Sequence, residues 1–219
     1  MEENHNTILK QAVRAVLKPQ GLLQKGSSRI WVDDNGWFFT IVEFQGSWCD
    51  KGSFLNVGMH HLWSDWESLM PVCGICDTRQ FGWAGYKGDG EAFAQQVTAL
   101  AETALARVLE YRKAADPKAA KIIPLVNDGI APFWAAWNQL LTAALAGDAA
   151  LCCALEREVF RKLEIIPIQG VEALLDQYLP LLNRPKQLQR RLLEKIASQR
   201  AFWRSKPGLK RLAVHPIYR

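Results

Sequence analysis

A chain of 219 residues, 49% hydrophobic and 22% charged, has the composition of a folded globular protein and excludes a disordered one. It carries no apolar run long enough to span a bilayer, and its opening, MEENHNTILKQ, lacks a signal-peptide core, so a cytoplasmic location without a membrane partner is expected. The net charge of +5 conceals an asymmetry: residues 184–219 hold eleven Lys or Arg and one acid, whereas the first 183 residues hold sixteen bases and 21 acids.

Residues 7–17 place Ile8, Leu9, Ala12, Val13, Ala15 and Val16 at helical spacing, which predicts a first helix that Pro19 stops. Residues 29–62 then read as three antiparallel strands around which the first half is organised. Asn35-Gly36 suits the two central positions of a type I′ hairpin turn, because both residues tolerate positive φ. That turn sets Asp34 opposite Trp37, Val32 opposite Phe39 and Ile30 opposite Ile41. Strand alternation puts Ile30, Val32, Trp37, Phe39 and Ile41 on one face, taken as the core face. The other face collects Trp31, Phe38, Thr40, Val42 and Phe44, and its apolar character demands a cover.

The third strand, residues 53–61, alternates Leu55, Val57 and Met59 with Phe54, Asn56, Gly58 and His60. Glu43, Gln45 and Asn56 are polar intruders at the open end of the hairpin. Such groups either satisfy loop amides or, together with His60, form a small polar pocket beside an aromatic wall.

The run LKPQGLLQKG (residues 17–26), followed by a hairpin, VEFQ (42–45) and FLNVG (54–58), resembles the bacterial "domain of unknown function 4304" family. The shared pattern is a Lys-Pro-x-Gly turn, a Lys-Gly pair, a Gln after the second strand and an Asn-x-Gly on the third. The resemblance covers the first half of the chain and implies its fold. It brings no activity and no catalytic residues with it.

Residues 63–90 are irregular and rich in glycine and aromatic residues, with a fourth short strand at 78–83. Trp63, Trp66 and Trp83 belong to a tryptophan-rich segment that either stacks a ligand ring or caps the core. Residues 91–113 form a helix capped by Asp89, with Phe93, Val97, Leu100, Ala104 and Val108 in an inward stripe. Residues 114–121 read as a linker between an α+β domain (1–113) and a helical domain (122–219). Further helices follow at 130–146, at 149–163 after Gly147 and an Asp148 cap, at 171–182, and from 183–185 to about 204.

The fold class is therefore α+β: an N-terminal antiparallel three- to four-stranded meander packed by helices, then an all-helical C-terminal region. Cys73-Gly-Ile-Cys76 is a lone CxxC; with His60 it supplies an incomplete zinc set, and the alternative is two ordinary thiols. An odd total of five cysteines supports a reducing compartment and no disulfide framework. In the last helix Leu188, Leu192, Ile196 and Trp203 form an apolar stripe. It is flanked by Lys186, Arg190, Arg191, Lys195, Arg200 and Arg204, with Lys210 and Arg211 in the tail. These bases either contact nucleic acid or another anionic partner, or are solvated and balanced by the acidic body. No phosphate-binding loop, nucleophile elbow or dinucleotide fingerprint occurs, and no cofactor is expected. The leading expectation is a non-enzymatic binding protein that uses its aromatic sheet face and tryptophan-rich loop toward a protein or small-molecule partner.

Overall fold

The computed structural model describes residues 4–71, 82–122, 132–165 and 172–213. The fold is α+β. Strands β1 (Leu23–Gln24), β2 (Ile30–Asp34), β3 (Phe38–Gly46), β4 (Gly52–His61) and β5 (Trp83–Gly85) form one antiparallel sheet in the order of the chain. Helix α1 (His5–Leu17) precedes it. After it come α2 (Gly90–Arg112), a single turn α3 (Pro117–Ala120), α4 (Pro132–Leu145), α5 (Ala149–Ile165), α6 (Glu172–Tyr178) and α7 (Pro185–Arg204).

The β2–β3 register differs from the expected one by two residues. Asp34 pairs with Phe39, Val32 with Ile41 and Ile30 with Glu43. The turn is centred on Gly36 and Trp37, closed by the Asn35 N–H donating to the Phe38 carbonyl at 3.1 Å. Among the described residues only glycines have positive φ, and Gly36, at 85°, supplies the one that this turn needs. A type I′ turn would need a second at Asn35. The Asn35 side chain explains the choice. It is buried and donates to Asp33 Oδ2 at 3.2 Å and Thr40 Oγ1 at 3.0 Å, which ties it to the strands. A slip of two preserves parity, so Val32, Phe39 and Ile41 still share a face. Trp37 leaves the strand and enters the core, its indole N–H donating to the Ala115 carbonyl at 2.9 Å.

Both sheet faces carry covers, the α7 side over only part of its length, and two consecutive carboxylates fasten them. On the face of Trp31, Phe38, Val42, Leu55 and Val57 lie α1 and α2, with Phe93, Val97 and Ala104 turned inward. Asp33 points that way and holds Arg112 of α2 at 2.6 Å. Asp34 points to the opposite face and holds Arg200 of α7 at 2.5 Å. The α7 stripe of Leu188, Leu192, Ile196 and Trp203 is fully buried. α4 joins this side of the molecule, where Asn138 accepts the Trp63 indole N–H at 2.9 Å. The stretch expected as a linker contains α3, with Pro117 and Ala120 buried.

Candidate functional site

Strand pairing decides which candidate residues meet. Glu43 faces Asn56, Gln45 faces Phe54, and Phe54 faces Trp83, all on the sheet side that α7 occupies farther along. α7 covers that side near Phe39 and His60, where Arg200 lies over the Phe39 ring and His60 meets Trp203 edge-on at 5.7 Å. The other end of the same face is open. The Asn56 amide there donates to Gln45 Oε1 at 2.8 Å and to Glu43 Oε2 at 3.2 Å. These two bonds consume both amide hydrogens of Asn56. The Gln45 amide nitrogen and the Asn56 carbonyl oxygen have no partner among the described residues.

Beside this polar ladder stand two exposed rings. Phe54 is 45% and Trp83 36% exposed, with centroids 4.5 Å apart. The Trp83 ring lies against the Gly52–Gly85 pair, where an added Cβ would come within 2.4 Å and 2.8 Å of indole atoms. Glycine at these two positions lets the indole lie flat on the backbone. Trp48, in the loop between β3 and β4, is fully exposed.

Other expected site residues lie elsewhere. Trp63 is in the core, in a three-ring cluster with Trp37 and His61. His60 is buried against Trp203, and burial lowers its pKa to about 4, the neighbouring Lys25 adding to the effect and the Met70 backbone opposing it. His60 therefore packs the core and does not extend the Glu43–Asn56 ladder. Trp66 is half-buried, edge-on to His60 and Trp134. Cys73 and Cys76 lie outside the described residues, and no metal-holding group of His, Cys, Asp or Glu occurs among those described. The alternation of Phe54 with Asn56 along β4 signals that the ring borders the polar group; sequence reasoning left Phe54 out of the site.

The basic helix also divides. Arg200 is wholly buried and is not a surface anion contact. Its guanidinium meets both Asp34 oxygens, the Gly36 carbonyl and the Ala213 carbonyl. Lys195 pairs with Asp65, and Arg204 is half-buried. Lys186, Arg190, Arg191, Lys210 and Arg211 are exposed. Glu194 lies 3.7 Å from Arg190 and 3.9 Å from Arg191.

A cleft of about 630 Å³ opens where the β2–β3 turn, the end of α2, α3, the end of α4 and α7 meet. Apart from the exposed Lys118, its polar lining is already engaged: Asp34 by Arg200, Arg112 by Asp33, Asn35 by Asp33 and Thr40, Asp116 by capping α3, and Gln189 by the Leu145 carbonyl. These bonds make it a satisfied seam between elements.

No family model, curated protein or solved structure matches this chain. No helix among the described residues is long and apolar enough to cross a membrane.

Proposed function

We propose that this chain is a binding protein whose open sheet end takes a neutral carbohydrate. The observation that carries the reading is the exposed Phe54–Trp83 pair beside the Glu43–Asn56–Gln45 ladder. A pyranose ring has an apolar C–H face and an equatorial rim of hydroxyls. An exposed indole lying flat on backbone supplies a rigid apolar platform for the first at small entropic cost. The free Gln45 donor and Asn56 acceptor suit vicinal hydroxyls, each of which donates and accepts. The internal bonds of Asn56 hold these groups in place before a ligand arrives, which limits the cost of ordering them.

Calorimetric titration with neutral cello-, chito- and malto-oligosaccharides tests the reading. At least one series is expected to bind saturably. Trp83→Ala and Asn56→Ala are each expected to weaken it by about ten-fold or more, with the thermal midpoint nearly unchanged. Variants that fold and bind as tightly as the parent, or no saturable binding in any series, would overturn it.

A further inference from the structure

A second cleft lies away from the aromatic patch and does not depend on the carbohydrate reading. It measures about 360 Å³ and is walled by the end of α1, the turn into β1 and the C-terminal tail. Three bases line it: Arg14, Lys18 and Arg211. Its floor is apolar, formed by Leu22 and the buried Trp31. No acid is among its lining residues, and Lys18 and Arg211 have no carboxylate partner among the described residues.

Two features separate this cluster from an ordinary solvated charge run. Arg14 is held in place: its guanidinium donates to Gln24 Oε1 at 2.9 Å, and the Gln24 amide donates to the Ser28 carbonyl at 2.7 Å. The C-terminal dipole of α1 accounts for Arg14 and Lys18, since cations are favoured there. It does not account for Arg211, which arrives from the far end of the chain. The tail that carries Arg211 is locked against β1. The Gly26 N–H donates to the Pro207 carbonyl at 2.9 Å, and Leu209 and Leu212 are buried. The fold thus brings a third cation to the cleft that already holds two others, and no acid among the described residues lines it. A multiply charged anion complements this collection of positive charge.

We propose that the Arg14–Lys18–Arg211 cleft binds a small phosphate monoester, the phosphate among the three bases and its organic part on the Trp31–Leu22 floor. The volume falls in the range of roughly 300–1,000 Å³ typical of small-molecule sites. Two arginine forks and a lysine suit a dianionic phosphate. A nucleic-acid strand would instead need an extended track of bases. The exposed Lys186, Arg190 and Arg191 of α7 do not line this cleft.

The test is calorimetry on the full chain at fixed ionic strength, with inorganic phosphate, phenyl phosphate and benzoate as probes. Phenyl phosphate is expected to bind more tightly than inorganic phosphate, and both more tightly than benzoate. Lys18→Glu and Arg211→Glu should each weaken phenyl phosphate by about ten-fold or more, while Lys210→Glu, outside the cleft, should change it by less than about two-fold. All three positions are exposed, so the folds should survive; if a reversal melts the protein, Lys18→Gln and Arg211→Gln are expected to show the same ordering. Three results would overturn the proposal: no saturable binding of phenyl phosphate, equal losses in Lys210→Glu and Arg211→Glu, or a single-stranded oligonucleotide binding where phenyl phosphate does not.

Discussion

Arg200 and Asp34 form the most consequential single contact in the chain. The arginine has no exposed surface, and each of its guanidinium nitrogens donates. Asp34 also accepts the backbone N–H groups of Gly36 at 3.0 Å and Ala213 at 3.3 Å. One pair therefore joins the β2–β3 turn, α7 and the tail. Desolvating two charges is costly, and the pair by itself adds little net stability, but removing one partner strands the other. Arg200→Met is expected to destabilise the protein by roughly 3–5 kcal/mol. Arg200→Lys should recover only part of that, since an ammonium cannot reproduce the planar fork. Asp34→Asn should cost at least as much as Arg200→Met, because it strands the wholly buried Arg200 cation, whereas Arg200→Met strands an Asp34 side chain that keeps 19% exposure. Urea unfolding with an unchanged slope measures all three; a loss below about 1 kcal/mol in Arg200→Met would show that the contact is incidental.

Among the elements, the tail after α7 behaves as an extra layer on the edge of the sheet. Gly208 sits at φ 81°, and a Cβ there would stand 2.0 Å from the Gln24 carbonyl oxygen and 2.6 Å from the Gly26 nitrogen. Neither atom can move without breaking β1. Gly208→Ala is therefore expected to detach the tail locally at a cost of roughly 1–3 kcal/mol. The Gly26 amide, which donates to Pro207, should then exchange hydrogen much faster than in the parent, while amides of β3 and β4 stay protected. Unchanged exchange at Gly26 would mean that the tail does not depend on this close approach. Elements of this kind were the least legible in the sequence. The caps Asp89 and Asp148, the stripes of α2 and α7 and the parity of β2 and β3 follow from local spacing, and the structure has all of them. β1 is two residues long, and its position follows from partners that sequence spacing does not show. The turn register failed because Asn35 uses its side chain on Asp33 and Thr40, a preference that its tolerance of positive φ does not reveal. Arg200 extends the series Leu188, Leu192, Ile196 by four, so its inward position was written in the periodicity. Its charge alone argued for the surface. Of the candidate site, alternation groups Glu43 with Gln45 and, separately, Asn56 with Phe54; the β3–β4 register joins the two groups on one face. Alternation along β4 places His60 there too, but only the arrival of Trp203 from α7 shows that this end of the face is closed.

At the scale of the whole molecule, two adjacent histidines on opposite sheet faces make folding sensitive to mild acid. His60 packs against Trp203, and His61 is stacked on Trp63. Burial lowers the first to about 4 and the second to about 3, each against 6.5 when unhindered, and mutual repulsion adds to the effect on His61. Both are neutral in the folded protein at neutral pH, whereas in the unfolded chain both take up protons as pH falls below about 6.5. The unfolded state then binds more protons than the native one, and stability falls with pH. The stabilisation is complete above about pH 6.5 and declines through the window down to the folded values near 4 and 3. Each histidine contributes a slope of about 1.4 kcal/mol per pH unit within that window. The depressed carboxyls Glu158 and Asp148 work in a lower range, since their loss begins only as pH drops toward the ordinary carboxylate values. Urea midpoints measured between pH 7.5 and 5 therefore isolate the imidazoles, and His5→Gln, which removes a third imidazole whose pKa is lowered by burial and by Arg29 and Lys51, serves as the background for the comparison. The parent should lose stability steeply below pH 6.5, and His60→Gln and His61→Gln should each flatten that slope by about half, whatever they cost at pH 7.5. Because the two rings contact α7 and the Trp37–Trp63 stack, the loss should appear as one cooperative transition shared by the sheet and the C-terminal helices. If instead the slope in this window is flat in the parent, or survives in the double variant, the buried imidazoles do not set the acid limit of the fold.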